Sequence, residues 1–91
     1  MNDVPGTAPN PRDPAELEWR ISAIWRDVLN AREASPGATF LELQGQSISA
    51  VRIVGRIEEE LGIEVDAAVL FDDPDLRTFT DVVIRQAGSA G

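Results

Sequence analysis

Apolar residues recur at helical spacing through most of this chain, and that periodicity constrains the fold more than any other feature. Leu17, Ile21, Ile24 and Val28 lie three or four residues apart, so they share one face of a helix. Two further stripes have the same spacing, and they consist of Ala50, Ile53, Val54, Ile57 and Leu61, and of Leu76, Phe79 and Val83. No segment combines sustained strand alternation with turn residues. The sequence therefore predicts an all-α fold.

Capping residues and helix breakers predict the helix boundaries. Asp13 precedes a proline, a combination suited to an N-cap and a first helical residue. Gly62 predicts the end of a second helix that starts near Ser47. Asp66 and Asp75 predict the starts of a short third helix and of a last helix. We expect a small four-helix bundle with three main helices and one short one.

A long connection over residues 31–46 separates the first two helices of this bundle. Long loops in small domains are often functional or pinned by their own side chains. Phe40 and Leu43 are the apolar residues expected to plug into the helical core.

The length of 91 residues fits one small domain. Prolines and small polar residues predict a flexible tail over residues 1–12, and the Gly-Ser-Ala-Gly end predicts another over residues 88–91. The folded domain is then expected over residues 13–87. The N-terminal segment lacks the pattern of a secretory signal, which favours a cytoplasmic protein. We expect a monomer.

Composition excludes several classes of function. The chain contains no Cys and no His, which rules out thiol nucleophiles, zinc fingers, Ser-His-Asp triads and disulfides. Carboxylate pairs remain possible, because 16 Asp and Glu are present, but 91 residues leave little room for a cleft that buries a substrate. We therefore predict no catalytic residues, no metal site and no enzymatic activity. A net charge of −8 argues against nucleic acid as a partner, and the lack of a long apolar run argues against a membrane span. The negative charge has two interpretations. It favours partners with basic surfaces, or its only role is to keep the chain soluble.

Ser47 is the side chain with the most chemical interest. It is predicted at the start of the second helix, shortly after Gly45, whose lack of a side chain would let a partner enzyme come close. Unpaired amides and the positive end of the helix dipole would favour a phosphodiester attached there. Serine is also among the best N-cap residues, so the local motif is equally consistent with a capping role.

From Ile24 to Val83 the chain resembles the peptidyl carrier domains of nonribosomal peptide synthetases, within the acyl-carrier superfamily. That stretch covers roughly two thirds of the chain, and the matching segments within it are 24–29, 40–43, 45–48, 50–52, 56–65, 70–71 and 74–76. The resemblance implies that a phosphopantetheinyl transferase attaches phosphopantetheine from coenzyme A to Ser47, using magnesium. It also implies that the thiol of this arm holds an amino acid or acyl group as a thioester. The implied partners are that transferase, an adenylating enzyme and downstream condensation or tailoring enzymes.

The motif departs from the usual family pattern at several positions. Gln44 stands where the family usually has glycine, and Gln46 stands where it usually has His, Asn or Asp. Thr39 replaces a frequent acidic residue, and Leu41 replaces a second Phe. The nucleophilic hydroxyl is retained, so the departures concern the choice of transferase and the rate of modification. Because the fatty-acid branch usually has Asp beside the serine, Gln46 favours the peptidyl branch.

A recognition surface is predicted around the serine, formed by Gly45, Gln46, Ile48, Val51, Arg52 and Gly55. Family carriers use an apolar residue after the serine to contact partners, which is Ile48 here. Val51 could instead border the core, and Gly55 could relieve crowding. Arg52 and Arg56 would point to solvent, although Arg56 could simply pair with Glu59 or Glu60.

We interpret the chain as a free-standing peptidyl carrier, with an excised synthetase domain as the other origin. One alternative function is an acyl carrier protein of polyketide or fatty-acid synthesis, which would use Ser47 in the same way. An alternative of another class is a helical adaptor that is never modified and acts by binding only.

Overall fold

The computed structural model of this protein describes residues 13–90, with side chains described for 13–87. Its main helices are α1 (Pro14–Val28), α2 (Ser47–Leu61) and α3 (Leu76–Ala90). A short 3-10 helix (Ala67–Asp72) lies between α2 and α3. Across the described residues the only β-type pairing is an isolated bridge between Thr39 and Asp75. The predicted all-α bundle of three main helices and one short helix is confirmed.

Helix boundaries follow the predicted local chemistry. The Asp13 side chain accepts a hydrogen bond from the Ala15 amide at 2.9 Å, and Pro14 is the first residue of α1. Gly62 ends α2 with a left-handed φ of 70°, which glycine adopts without a steric penalty. Asp66 caps the 3-10 helix, and the Asp75 carboxylate accepts a bond from the Thr78 amide at 2.8 Å.

The core forms where the apolar faces of the helices meet the long loop. Trp25 of α1 is almost fully buried, with its ring centroid 5.5 Å from that of Phe79 in α3 and 6.2 Å from that of Phe40 in the loop. Phe40 is also buried and the partly buried Leu43 packs against the core, so the two predicted pins of the loop are confirmed. This aromatic row fixes the loop against the bundle, immediately before α2.

The predicted domain limits lie partly outside the described residues. Residues 1–12, where the sequence predicts a flexible tail, and residue 91 are not described. The helical backbone of α3 continues to Ala90, past the predicted domain limit at residue 87. Within residues 13–90 no helix has both the length and the apolar character that a membrane crossing requires. The cytoplasmic location and the monomeric state remain predictions.

Candidate functional site

Ser47 is the first residue of α2, and its side chain is exposed. The N-cap position belongs to Gln46, whose backbone is extended (φ −133°, ψ 171°) and whose side chain makes no capping hydrogen bond. The Ser47 hydroxyl makes no hydrogen bond to any residue within 13–90. The structure therefore disfavours the capping role that the sequence left open for Ser47, and it presents an unengaged hydroxyl to solvent.

The start of α2 is suited to a negative group on that hydroxyl. The first intrahelical bond runs from the Ala50 amide to the Gln46 carbonyl at 2.9 Å, which leaves the amides of the first turn ahead of it without an intrahelical partner. No acidic residue lies in this first turn. A phosphodiester on the Ser47 oxygen would lie beside these amides, a placement that contributes about 0.3–1 kcal/mol when exposed. The residues present therefore fit a covalently attached phosphopantetheine.

Gly45 has a packing role that the sequence interpretation missed. The residue is buried, and a Cβ added to it would lie 2.5 Å from two atoms of the Phe40 ring. Carbon atoms in contact prefer about 3.5–4.0 Å, so only glycine fits against this ring. The sequence suggested that Gly45 lets a partner approach, whereas the structure shows it facing the core. Its place beside Phe40 sets the path of the backbone into Ser47.

The segment before Ser47 is held by residues that lie between the 3-10 helix and α3. Thr39 forms the bridge with Asp75, and the Phe40 amide donates to the Pro74 carbonyl at 2.9 Å. The Leu41 amide then donates to the Asp73 carboxylate at 2.8 Å. Sequence reasoning did not anticipate Asp73, because its partner is 32 residues away and no local pattern signals such a bond.

Arg26 holds the earlier part of the same loop. One of its terminal nitrogens (Nη1) donates to the backbone carbonyls of Ala34 at 2.6 Å and Arg32 at 3.0 Å. Its Nε also donates to the Ser22 hydroxyl at 3.2 Å, which fixes the side chain along α1. The guanidinium therefore stabilises a loop without secondary structure, and nothing in the helical periodicity of α1 indicated this function.

Four large apolar side chains are exposed on α2, the loop and the 3-10 helix. Ile48 is 64% exposed and Val51 58% exposed, and their spacing of three residues places them on one face of α2. Leu41, in the loop before Ser47, and Phe71, in the 3-10 helix, are 61% and 56% exposed. Val51 is thus a surface residue, and the suggestion that it borders the core is wrong. The sequence did not single out Leu41 or Phe71 for exposure, because helical periodicity does not apply in these two segments.

The polar residues farther along α2 differ in their environment. Arg56 is tied to the Glu60 carboxylate at 2.9 Å and to the Asp27 carboxylate of α1. The hydrogen bond that Arg56 donates to Glu60, followed by the one it donates to Asp27, raises the pKa of Arg56 above its usual value. Arg52 is exposed and has no ion pair within residues 13–90. A Cβ on Gly55 would meet nothing within 4 Å, so crowding inside the chain does not account for this glycine.

Comparisons with known proteins agree with this geometry. Residues 19–83 match the family described as "Phosphopantetheine attachment site". The chain is 38% identical over 79 residues to surfactin synthase subunit 1 of Bacillus subtilis, and 36% identical over 74 residues to phosphinothricin tripeptide synthetase PhsC of Streptomyces viridochromogenes. These matches cover 86% and 81% of the chain, but only 2% and 7% of the two synthetases.

A solved structure with a similar fold is BlmI, a type-II acyl-carrier-protein from Streptomyces verticillus involved in bleomycin biosynthesis. The two structures superpose with a TM-score of 0.67 and share 34% sequence identity. The alignment covers 77% of this chain and 84% of BlmI.

Proposed function

This chain belongs to the phosphopantetheine-attachment family of carrier domains, and from that premise we propose that Ser47 is the residue that receives the arm. Members of this family carry phosphopantetheine covalently, and the domain is in general non-catalytic. The observation that carries the assignment to Ser47 is its position: an exposed hydroxyl, engaged by no hydrogen bond within residues 13–90, on the first residue of α2.

The modification is a group transfer in which Ser47 is the nucleophile. The Ser47 oxygen forms a bond to the β-phosphorus of coenzyme A, the bond from that phosphorus to the bridging oxygen breaks, and adenosine 3′,5′-bisphosphate leaves. The serine proton passes to a base of the transferase, since the chain has no His and no acidic residue lies in the first turn of α2. The amides of the first turn of α2 would stabilise the attached phosphodiester. When bound, the arm supplies a thiol that holds an acyl group as a thioester.

We further propose that the cargo is an aminoacyl group in nonribosomal peptide synthesis or a related natural-product route. The named relatives support this, because two of them are a tripeptide synthetase and a surfactin synthase. An adenylating enzyme would load the arm and a condensation or tailoring enzyme would unload it. The acyl-carrier name of BlmI favours testing direct acyl loading as the second candidate. Parallel loading assays with adenylating enzymes and with acyltransferases separate the two.

The attachment is tested by intact mass after incubation with coenzyme A, magnesium and a broad-specificity phosphopantetheinyl transferase. We expect a gain of one phosphopantetheine group, and we expect Ser47→Ala to abolish it. Ser49→Ala is the matched control, because it removes a second hydroxyl from the same turn of α2 and should leave the gain intact. An unchanged mass with several transferases would support an unmodified adaptor and refute the carrier function.

We propose that partner enzymes bind the exposed face of α2 formed by Ile48, Val51 and Arg52. The two apolar residues offer a contact surface next to Ser47, and Arg52 has no ion pair within the chain's described part that would occupy it. Arg56 is left out, since two carboxylates already engage it. Gln46 is exposed at the end of this face, and Gly55 leaves open space along the same helix.

This surface is tested with Ile48→Asp, which should slow loading by the cognate adenylating enzyme while Ser47 is still modified. A buried carboxylate at a protein contact is costly, so the effect should appear in the loading step. Trp19→Asp is the control, because it places the same charge on an equally exposed apolar residue of α1. If both variants load at the rate of the unsubstituted protein, Ile48 is not a contact.

A further inference from the structure

The loop before Ser47 ends in a tight turn whose backbone hydrogen bonds are all accepted by carbonyls of residues 39–41. The Leu43 amide donates to the Thr39 carbonyl at 3.0 Å, the Gln44 amide to the Leu41 carbonyl at 2.9 Å and the Gly45 amide to the Phe40 carbonyl at 2.9 Å. The placement of the turn therefore depends on what holds residues 39–41.

Those three residues pair in antiparallel order with residues 75, 74 and 73. The first rung uses backbone atoms, as the bond from the Phe40 amide to the Pro74 carbonyl beside the Thr39–Asp75 bridge. The next rung is different, because the Leu41 amide donates to a side-chain carboxylate oxygen of Asp73. The Leu41 carbonyl in turn accepts the hydrogen bond from the Gln44 amide within the turn. The last rung before the turn thus depends on one replaceable side chain.

Asp73 has a second constraint that makes its identity informative. Its φ of 59° lies in the left-handed region, where it ends the 3-10 helix through a bond from its amide to the Leu70 carbonyl at 3.2 Å. Glycine is the residue best suited to such a backbone, with Asn and Asp tolerated. Glycine would satisfy the helix end alone. A side chain with an acceptor oxygen, such as that of Asp73, is needed in addition to pair with the Leu41 amide.

We propose that Asp73 is a positioning residue for the modification of Ser47. The inference rests on the proposed function of Ser47. The Asp73 carboxylate holds the Leu41 amide, the Leu41 carbonyl holds the turn, and the turn places Gly45 against Phe40 and Ser47 at the mouth of α2. Without the carboxylate, the turn would be populated for a smaller fraction of the time. The apparent affinity of the transferase for the carrier would fall by that fraction.

The test uses Asp73→Gly and Asp73→Asn in full-length protein, with initial rates measured at saturating coenzyme A and varied carrier concentration. Glycine keeps the left-handed backbone and removes only the acceptor, whereas asparagine keeps both a carbonyl acceptor and the backbone preference. We expect the KM of the glycine variant to rise about threefold to tenfold, with kcat nearly unchanged. The asparagine variant should restore the KM of the unsubstituted protein.

Hydrogen exchange of the Leu41 amide gives a second measurement that does not depend on the transferase. We expect slow exchange in the unsubstituted and asparagine proteins and faster exchange in the glycine variant. Equal KM values for all three proteins, an equal rise in both variants, or a fall in kcat without a change in KM would overturn the proposal. So would exchange of the Leu41 amide at the rate of an unstructured peptide in the unsubstituted protein. If the unsubstituted protein is not modified at all, the proposed function itself fails.

Discussion

Two glycines of this chain should respond in opposite directions to the same substitution. In Gly45→Ala the new Cβ would lie 2.5 Å from the nearest atoms of the Phe40 ring, so the ring or the loop must withdraw by about 1 Å to reach an ordinary contact. The ring has little room to move, because it is almost fully buried and adjoins Trp25. Overpacking of this kind costs typically about 1–3 kcal/mol of unfolding free energy.

Gly55→Ala provides the matched control. Its Cβ would meet nothing within 4 Å, and the residue lies in the interior of α2. Alanine is favoured over glycine by about 0.8–1 kcal/mol in a helix interior, so this variant should be more stable than the unsubstituted protein. The two alanine variants should therefore differ by about 2–4 kcal/mol.

Urea unfolding followed by far-UV circular dichroism measures both changes, which should appear as shifts of the midpoint at constant slope. Phe40→Leu identifies the cause, because a smaller side chain opposite Gly45 leaves room for the new Cβ. The cost of Gly45→Ala should fall in the Phe40→Leu background, and the shortfall is the coupling energy of the pair. An unchanged midpoint for Gly45→Ala, or a cost that is the same in both backgrounds, would refute the packing argument.

Two other predictions concern the ends of the helices. Gln46→Asn should raise the unfolding free energy by about 1 kcal/mol, because asparagine is a strong N-cap and the Gln46 side chain makes no capping bond; no shift of the urea midpoint would contradict this. The bond from the Thr78 amide, followed by that from the Thr78 side chain, lowers the pKa of Asp75 below its usual 3.8. The resulting stabilisation is complete above the unfolded value and is lost as the pH falls through the lower folded value. The stability advantage over Asp75→Asn, measured by urea unfolding across this range, should therefore shrink on acidification, and a constant difference would contradict the assignment.

The fold was predictable from the sequence where the determining chemistry is local. Asp13 and Gly62 mark helix ends through their own side chain or backbone preference, and both ends lie where the pattern placed them. Phe40 was predictable as a pin, since burying a large aromatic side chain removes much apolar area from water. Such features depend on a residue and its near neighbours, so one sequence is sufficient to identify them.

The anchoring of the site was not predictable, because it depends on residues far apart in the chain. Asp73 meets the Leu41 amide across 32 residues, and Arg56 meets Asp27 across 29. Nothing in the sequence spacing distinguishes Asp73, Arg56 or Asp27 from the other charged residues of the surface. Gly45 was identified, but its role was misjudged, because a glycine pressed on a ring and a glycine exposed to a partner are written in the same way in a sequence.

The start of α2 differs from the other helix starts in a way that bears on function. α1, the 3-10 helix and α3 each begin beside an Asp whose side chain accepts a backbone amide. In the described part of the chain, α2 alone begins without such a bond, although a serine lies one position inside it. A shift of that serine to the N-cap would stabilise the helix by about 1 kcal/mol, but an amide would then engage its oxygen. Leaving the cap unmade keeps both the Ser47 hydroxyl and the first-turn amides available, which is the arrangement that favours attachment of a phosphodiester.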